Sequence, residues 1–114
     1  MLKTIVEIAG EAQQGLRCVT AEQAVNELEE NGGLVIDVRE PAEVEAKPTG
    51  LSINIPRGVL EIKVPEHCPD SDSPIYLHCA SGGRASLAAE QLKRMGYSNV
   101  SVITCTLDTI RELG

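Results

Sequence analysis

The chain has no Phe and no Trp, and only two Tyr among 114 residues. Its core must therefore be built from Val, Ile, Leu and Ala. Such a composition suits a parallel sheet covered by helices, whose buried strands favour branched aliphatics. No apolar run is long enough to span a bilayer, so no membrane segment is expected. The start, Met1-Leu2-Lys3-Thr4-Ile5-Val6, lacks the extended apolar region of a signal peptide. Basic residues are the minority: 10 Lys and Arg face 17 Asp and Glu, a formal charge of −7. An acidic surface repels phosphate backbones, which excludes nucleic acid as an expected partner. These features point to a cytoplasmic protein. The length fits one compact domain.

Four cysteines are present, Cys18, Cys68, Cys79 and Cys105, with no C-x-x-C pair. Scattered thiols in a reducing compartment are usually free and behave as small apolar residues. His67 and Cys68, with His78 and Cys79, match no common zinc spacing, so no metal is expected.

Segments alternate along the chain. Leu2 to Gln14 reads as a short helix closed by Gly15. Residues 1–16 are thus an N-terminal helical arm, packed on the domain or on a second subunit, and 17–114 the domain. Arg17 to Val19 is a short strand. Thr20 and Gln23 form the pattern of a capping box, opening a helix from Ala21 to about Glu30 that ends at Asn31-Gly32-Gly33. Leu34 to Val38 is an apolar strand ending in Asp37, Arg39 and Glu40, and Pro41 starts a helical turn. Ile53 to Ile55 is a strand. A helix from Arg57 to Val64 is expected to stop at Pro65. Ile75 to Cys79 is the next strand, followed by a helix from about Arg84 to Met95 with Gly96 as its stop. Val100 to Ile103 and Leu107 to Leu113 are a last strand and a last helix. The alternation predicts an α/β domain with a mostly parallel sheet.

Ligands of such sheets bind beyond the carboxyl ends of the strands. Cys79 falls there, followed by Ala80-Ser81-Gly82-Gly83-Arg84 and a helix. A helix N-terminus favours an anion. Two glycines let successive N–H groups turn inward as an anion-binding nest. Arg84 adds a permanent cation. Thiols in such settings are nucleophilic, because their thiolate is stabilised. The plain alternative, a cysteine that merely ends a buried strand, does not explain Gly-Gly-Arg leading into a helix.

The segment His78-Cys79-Ala80-Ser81-Gly82-Gly83-Arg84-Ala85 resembles the active-site loop of the rhodanese family. Leu34 to Glu40 (LVIDVRE) resembles that family's first signature, and Ile53-Asn54-Ile55-Pro56 the middle one. The resemblance covers about Arg17 to Ile103. It implies a rhodanese-like α/β fold, a sheet of about five mostly parallel strands flanked by helices on both faces. It also implies sulfur transfer through a persulfide on Cys79, loaded by a sulfane donor such as thiosulfate and discharged by a thiol or cyanide. No cofactor is needed. The backbone amides of Ala80 to Arg84 would stabilise thiolate and persulfide, and Arg84 would hold the loop or attract an anionic donor. Asp37 and Arg39 read first as an ion pair bracing the loops, with Glu43 supporting the same region.

Cysteine-dependent phosphatases place five residues between Cys and Arg; here there are four, Ala80 to Gly83. By resemblance the tighter loop fits sulfur better than a phosphoryl group. The chain departs from the family elsewhere. Lys47-Pro48-Thr49-Gly50-Leu51-Ser52 replaces the usual Gly-His-Ile-Pro-Gly-Ala. Cys105, Thr106 and Ile110 replace a Gly-Gly turn and a later Trp. Cys105 is a candidate second thiol that sits near Cys79 and resolves its persulfide or forms a disulfide with it; the plainer reading is a buried thiol in place of a glycine. His78 points away from Cys79 across its strand and is not expected to be its base. Three functions compete: a sulfurtransferase, a non-enzymatic relay passing sulfur to a dedicated protein partner, and a phosphatase or arsenate reductase. The expected partners are a small donor, a thiol acceptor or a sulfur-accepting protein, in a monomer or homodimer.

Overall fold

The computed structural model describes residues 1–113. Gly114, the last residue of the expected domain, lies outside the described residues. In chain order the elements are α1 (Ile5–Gln13), β1 (Arg17–Val19), α2 (Ala21–Asn31), β2 (Leu34–Asp37), α3 (Pro41–Ala46) and β3 (Ile53–Asn54). A 3-10 turn (Arg57–Val59) leads into α4 (Leu60–His67), then β4 (Ile75–His78), α5 (Gly83–Met95), β5 (Val100–Ile103) and α6 (Leu107–Leu113). The five strands form one sheet in the order β1-β5-β4-β2-β3, and every pairing is parallel. No helix among the described residues is long and apolar enough to cross a membrane.

Strand alternation sorts the side chains into two cores. Ile75, Leu77 and Cys79 face a cluster with Leu60, Val64, Ala85, Ala88, Ala89 and Leu92, the inner faces of α4 and α5. Tyr76 faces the other side, with Val19, Ala21, Ala24, Val35, Ile103 and Ile110, under α2 and α6. Both faces of the sheet are thus covered. Alanines at 85, 88 and 89, all fully buried, let α5 lie close to strands that carry no aromatic bulk on that face.

Local signals explain most boundaries. The Thr20 hydroxyl accepts from the Gln23 N–H at 3.1 Å, and Gly32 closes α2 at φ 62°, a left-handed value that glycine adopts without strain. The Gln23 side chain turns to Glu27 instead (3.3 Å), so the expected box closes only on one side. A full capping box forms at α3, between Glu40 and Glu43. Thr4 caps α1, and Gln14, not Gly15, ends it.

The expected stop at Pro65 is a correction: α4 continues through it to His67. Leu60, Val64 and Cys68 are buried at four-residue spacing and hold the helix on the core. Pro65 itself is exposed, on the side of the helix away from the core.

Candidate active site

The strand order places the site. The connection from β2 runs outward to β3 and that from β4 runs the other way, to α5 and β5. Between the carboxyl ends of β2 and β4, which are neighbours in register Asp37↔His78, the two connections diverge, and such switch points are where open α/β sheets bind ligands. The Asp37-to-Glu43 segment lines one side and the Cys79 loop the other.

Cys79 follows β4 and is only 2 % exposed. Its sulfur accepts N–H donors from Gly82 at 3.1 Å and from Ala85 at 3.4 Å. Gly82 caps α5 at φ 94°, a conformation disfavoured for residues with a Cβ. That turn folds the loop back over the sulfur. Among the expected donors Ala80 to Arg84, only Gly82 reaches the sulfur. The second donor, Ala85, lies one residue beyond. The first amides of a helix have no intrahelical acceptor and point off its end, and that rule would have found Ala85. The amides of Gly83 and Arg84, in the same first turn of α5, share that lack of an intrahelical acceptor. Ser81 stands exposed at the crest of the loop. The Ala80 carbonyl accepts from Leu107 N at 3.3 Å, tying the loop to the start of α6.

Arg84 meets Glu43 through two bonds, 2.6 and 3.0 Å. Hydrogen bonding to Arg84, followed by the Glu40 N–H, holds the Glu43 carboxyl down at about 2; the same pair raises Arg84 above its ordinary value. Asp37 and Arg39 are both buried and form an ion pair at 2.7 Å. Arg39 also donates to the carbonyls of Glu43 (3.3 Å) and Lys47 (2.8 Å). Asn54 Nδ2 donates to the carbonyls of Asp37 and Arg39, each at 2.9 Å. Asn54 was not singled out in the sequence; its place beside a buried charged pair becomes visible only through the β2–β3 register. The result is a continuous brace from the sheet edge through Arg39 and Glu43 to Arg84.

His78 lies on the face opposite Cys79. Its Nε2 shares a hydrogen bond of 2.9 Å with Ser52, and its Nδ1 has no partner. Burial pushes its pKa down. The Cys105 sulfur accepts from Ala21 N at 3.1 Å and packs with the α2 and α6 side of the core, whereas Cys79 belongs to the α4 and α5 side. Both thiols are free.

Residues 20–109 match the family model of the rhodanese-like domain. The chain belongs to the rhodanese-like domain family. Several solved structures resemble it. A protein of unknown function from Rhodopseudomonas palustris, described as a possible tyrosine phosphatase, is 25% identical with a TM-score of 0.81, over 100% of this chain and 93% of that one. A polysulfide-sulfur transferase homodimer from Wolinella succinogenes is 25% identical with a TM-score of 0.79, over 95% and 82%. A single-domain sulfurtransferase from Saccharomyces cerevisiae is 28% identical with a TM-score of 0.66, over 88% and 92%. No curated protein matches the chain. The rhodanese-like match begins after α1, which lies outside it.

Proposed function

We propose that this rhodanese-like chain is a sulfurtransferase in which Cys79 carries sulfur as a persulfide. The observation that supports this most is the pair of amides, from Gly82 and Ala85, aimed at a sulfur held under a loop with four residues between Cys79 and Arg84. Preorganised N–H donors stabilise negative charge on sulfur without rearrangement during reaction. With thiosulfate as donor, the Cys79 thiolate attacks the outer sulfur. A new S–S bond forms, the old one breaks, and sulfite leaves with the electron pair. An acceptor thiolate then attacks the outer sulfur of the persulfide, becomes a persulfide itself, and returns Cys79 as thiolate; cyanide would leave as thiocyanate.

A relay that takes sulfur from a dedicated protein is the second reading, and one observation favours it. The two arginines of the site are both paired with carboxylates, Arg39 with Asp37 and Arg84 with Glu43, and the sulfur is almost fully covered. A small dianion would find no unpaired arginine there to capture it. The acidic cytoplasmic protein expected from the sequence, whether monomer or homodimer, suits either reading; exposed Leu2, Ile5 and Val6 on the N-terminal arm are where a homodimer would form. Turnover of thiosulfate with cyanide, measured as thiocyanate, tests the first reading. Turnover only when a persulfidated protein is supplied supports the second. Hydrolysis of phosphate esters without sulfur transfer would overturn both.

A further inference from the structure

Helix α1 precedes the residues matched by the family model, yet it reaches the active-site loop. Its Ala9 and Ala12 are buried, and Ile5, Val6, Ala9, Gly10 and Gln13 line a groove of about 260 Å³ together with Ser81 and Gly83 of the loop. A polar chain runs from this helix to the sulfur. Gln13 Nε2 donates to Ser86 Oγ at 2.9 Å. The Ser86 hydroxyl donates to the Gly82 carbonyl at 2.7 Å, which also accepts the Ser86 N–H at 3.0 Å. The N–H of that same Gly82 donates to Cys79 Sγ at 3.1 Å.

Gly82 has no side chain and sits at φ 94°, so its own packing does little to fix the direction of its peptide groups. Ser86 is fully buried and has a single hydroxyl proton. Once the Gln13 amide donates to its oxygen, that proton is left for the Gly82 carbonyl. The polarity of the chain is therefore set at Gln13.

We propose that Gln13 is a positioning residue: through Ser86 it anchors the Gly82 carbonyl, and with it the backbone of Gly82, whose N–H on the preceding peptide plane is aimed at Cys79. This rests on the reading of Cys79 as the sulfur carrier. A carboxylate at position 13 has no proton to donate. In Gln13→Glu the Ser86 hydroxyl would turn toward the new carboxylate and leave the Gly82 carbonyl with the Ser86 N–H alone, although the side chain keeps its size.

The test compares Gln13→Glu, Gln13→Ala, Ser86→Ala and the Gln13→Ala/Ser86→Ala pair, each in the full chain. Three readouts apply: kcat and KM for sulfur transfer, alkylation of Cys79 by iodoacetamide, and hydrogen exchange of the Gly82 amide by NMR. Loss of one neutral hydrogen bond corresponds to about a 3- to 10-fold effect. Both Gln13 variants are expected to lower kcat and speed Gly82 exchange by about that factor, with KM within roughly twofold. Gln13→Ala is expected to add nothing once Ser86 is alanine, because the two act as one chain. Unchanged Gly82 exchange in Gln13→Glu, or additive effects in the pair, would overturn the proposal. If the wild type takes up no sulfur, the reading of Cys79 fails by itself, and Gly82 exchange with alkylation still decides the role of Gln13.

Discussion

Glu43 and Arg84 join the two sides of the switch point through paired bonds of 2.6 and 3.0 Å, forty-one positions apart in sequence. The contact fixes the loop after β2 to the first turn of α5. It also sets an acid limit. The Glu43 carboxyl is held at about 2, below its ordinary 4.5, by Arg84 and the Glu40 N–H. Between those values the unfolded chain binds the extra proton, so the contribution is complete above pH 4.5 and lost as pH falls toward 2. Both side chains are more than one-third exposed, 37% and 39%, so screening keeps the contribution under about 1 kcal/mol. Urea unfolding at pH 5 and pH 3 should show a smaller acid loss for Glu43→Gln than for the wild type. Equal losses would show that the pair does not contribute.

The buried pair behaves differently. Asp37→Asn leaves Arg39 charged, buried and short of its partner. Breaking such a pair costs about 3–5 kcal/mol. Thermal unfolding should show a large drop in midpoint, and a drop like that of a surface variant would contradict the brace described above.

Gly82→Ala introduces a Cβ at φ 94°, where the nearest atom outside the local chain is Thr104 Cα at 4.0 Å. Space is available, so the cost is backbone strain, about 1–2 kcal/mol. Relief of that strain would swing the Gly82 N–H off the sulfur. Sulfur loading should slow more than stability falls. Loading at the wild-type rate would show that this amide is dispensable.

Burial lowers the pKa of His78 in the folded chain below the ordinary 6.5. The unfolded chain takes up a proton below that value, so stability falls as pH drops through 6.5. In His78→Leu that part of the decline should vanish, as read from unfolding midpoints between pH 7.5 and 5.5; an unchanged pH slope would contradict it.

The sheet was legible because strands such as Leu34 to Asp37 and Ile75 to His78 are nearly continuous apolar runs, and because Gly32 and Gly96 stand where helices end at positive φ. The Cys79 loop was legible because its chemistry is local: glycines, a helix start and a thiol within a few residues. What escaped is what tertiary context decides. Pro65 was overruled by the buried stripe of Leu60, Val64 and Cys68. Ala85 reaches the Cys79 sulfur through a backbone N–H, which its alanine side chain does not announce. Asn54 and the Gln13–Ser86 contact join segments far apart in the chain. Cys105, singled out as a second thiol, packs with the α2 and α6 cluster, whereas Cys79 packs with α4 and α5.

Intact-mass spectrometry after incubation with thiosulfate, and separately with a persulfide donor, addresses the central claim. The wild type should gain the mass of one sulfur atom on Cys79, lost again on adding cyanide, while Cys79→Ser gains none and stays folded. A wild type that gains no sulfur from either donor, or a Cys79→Ser variant that still does, would contradict it.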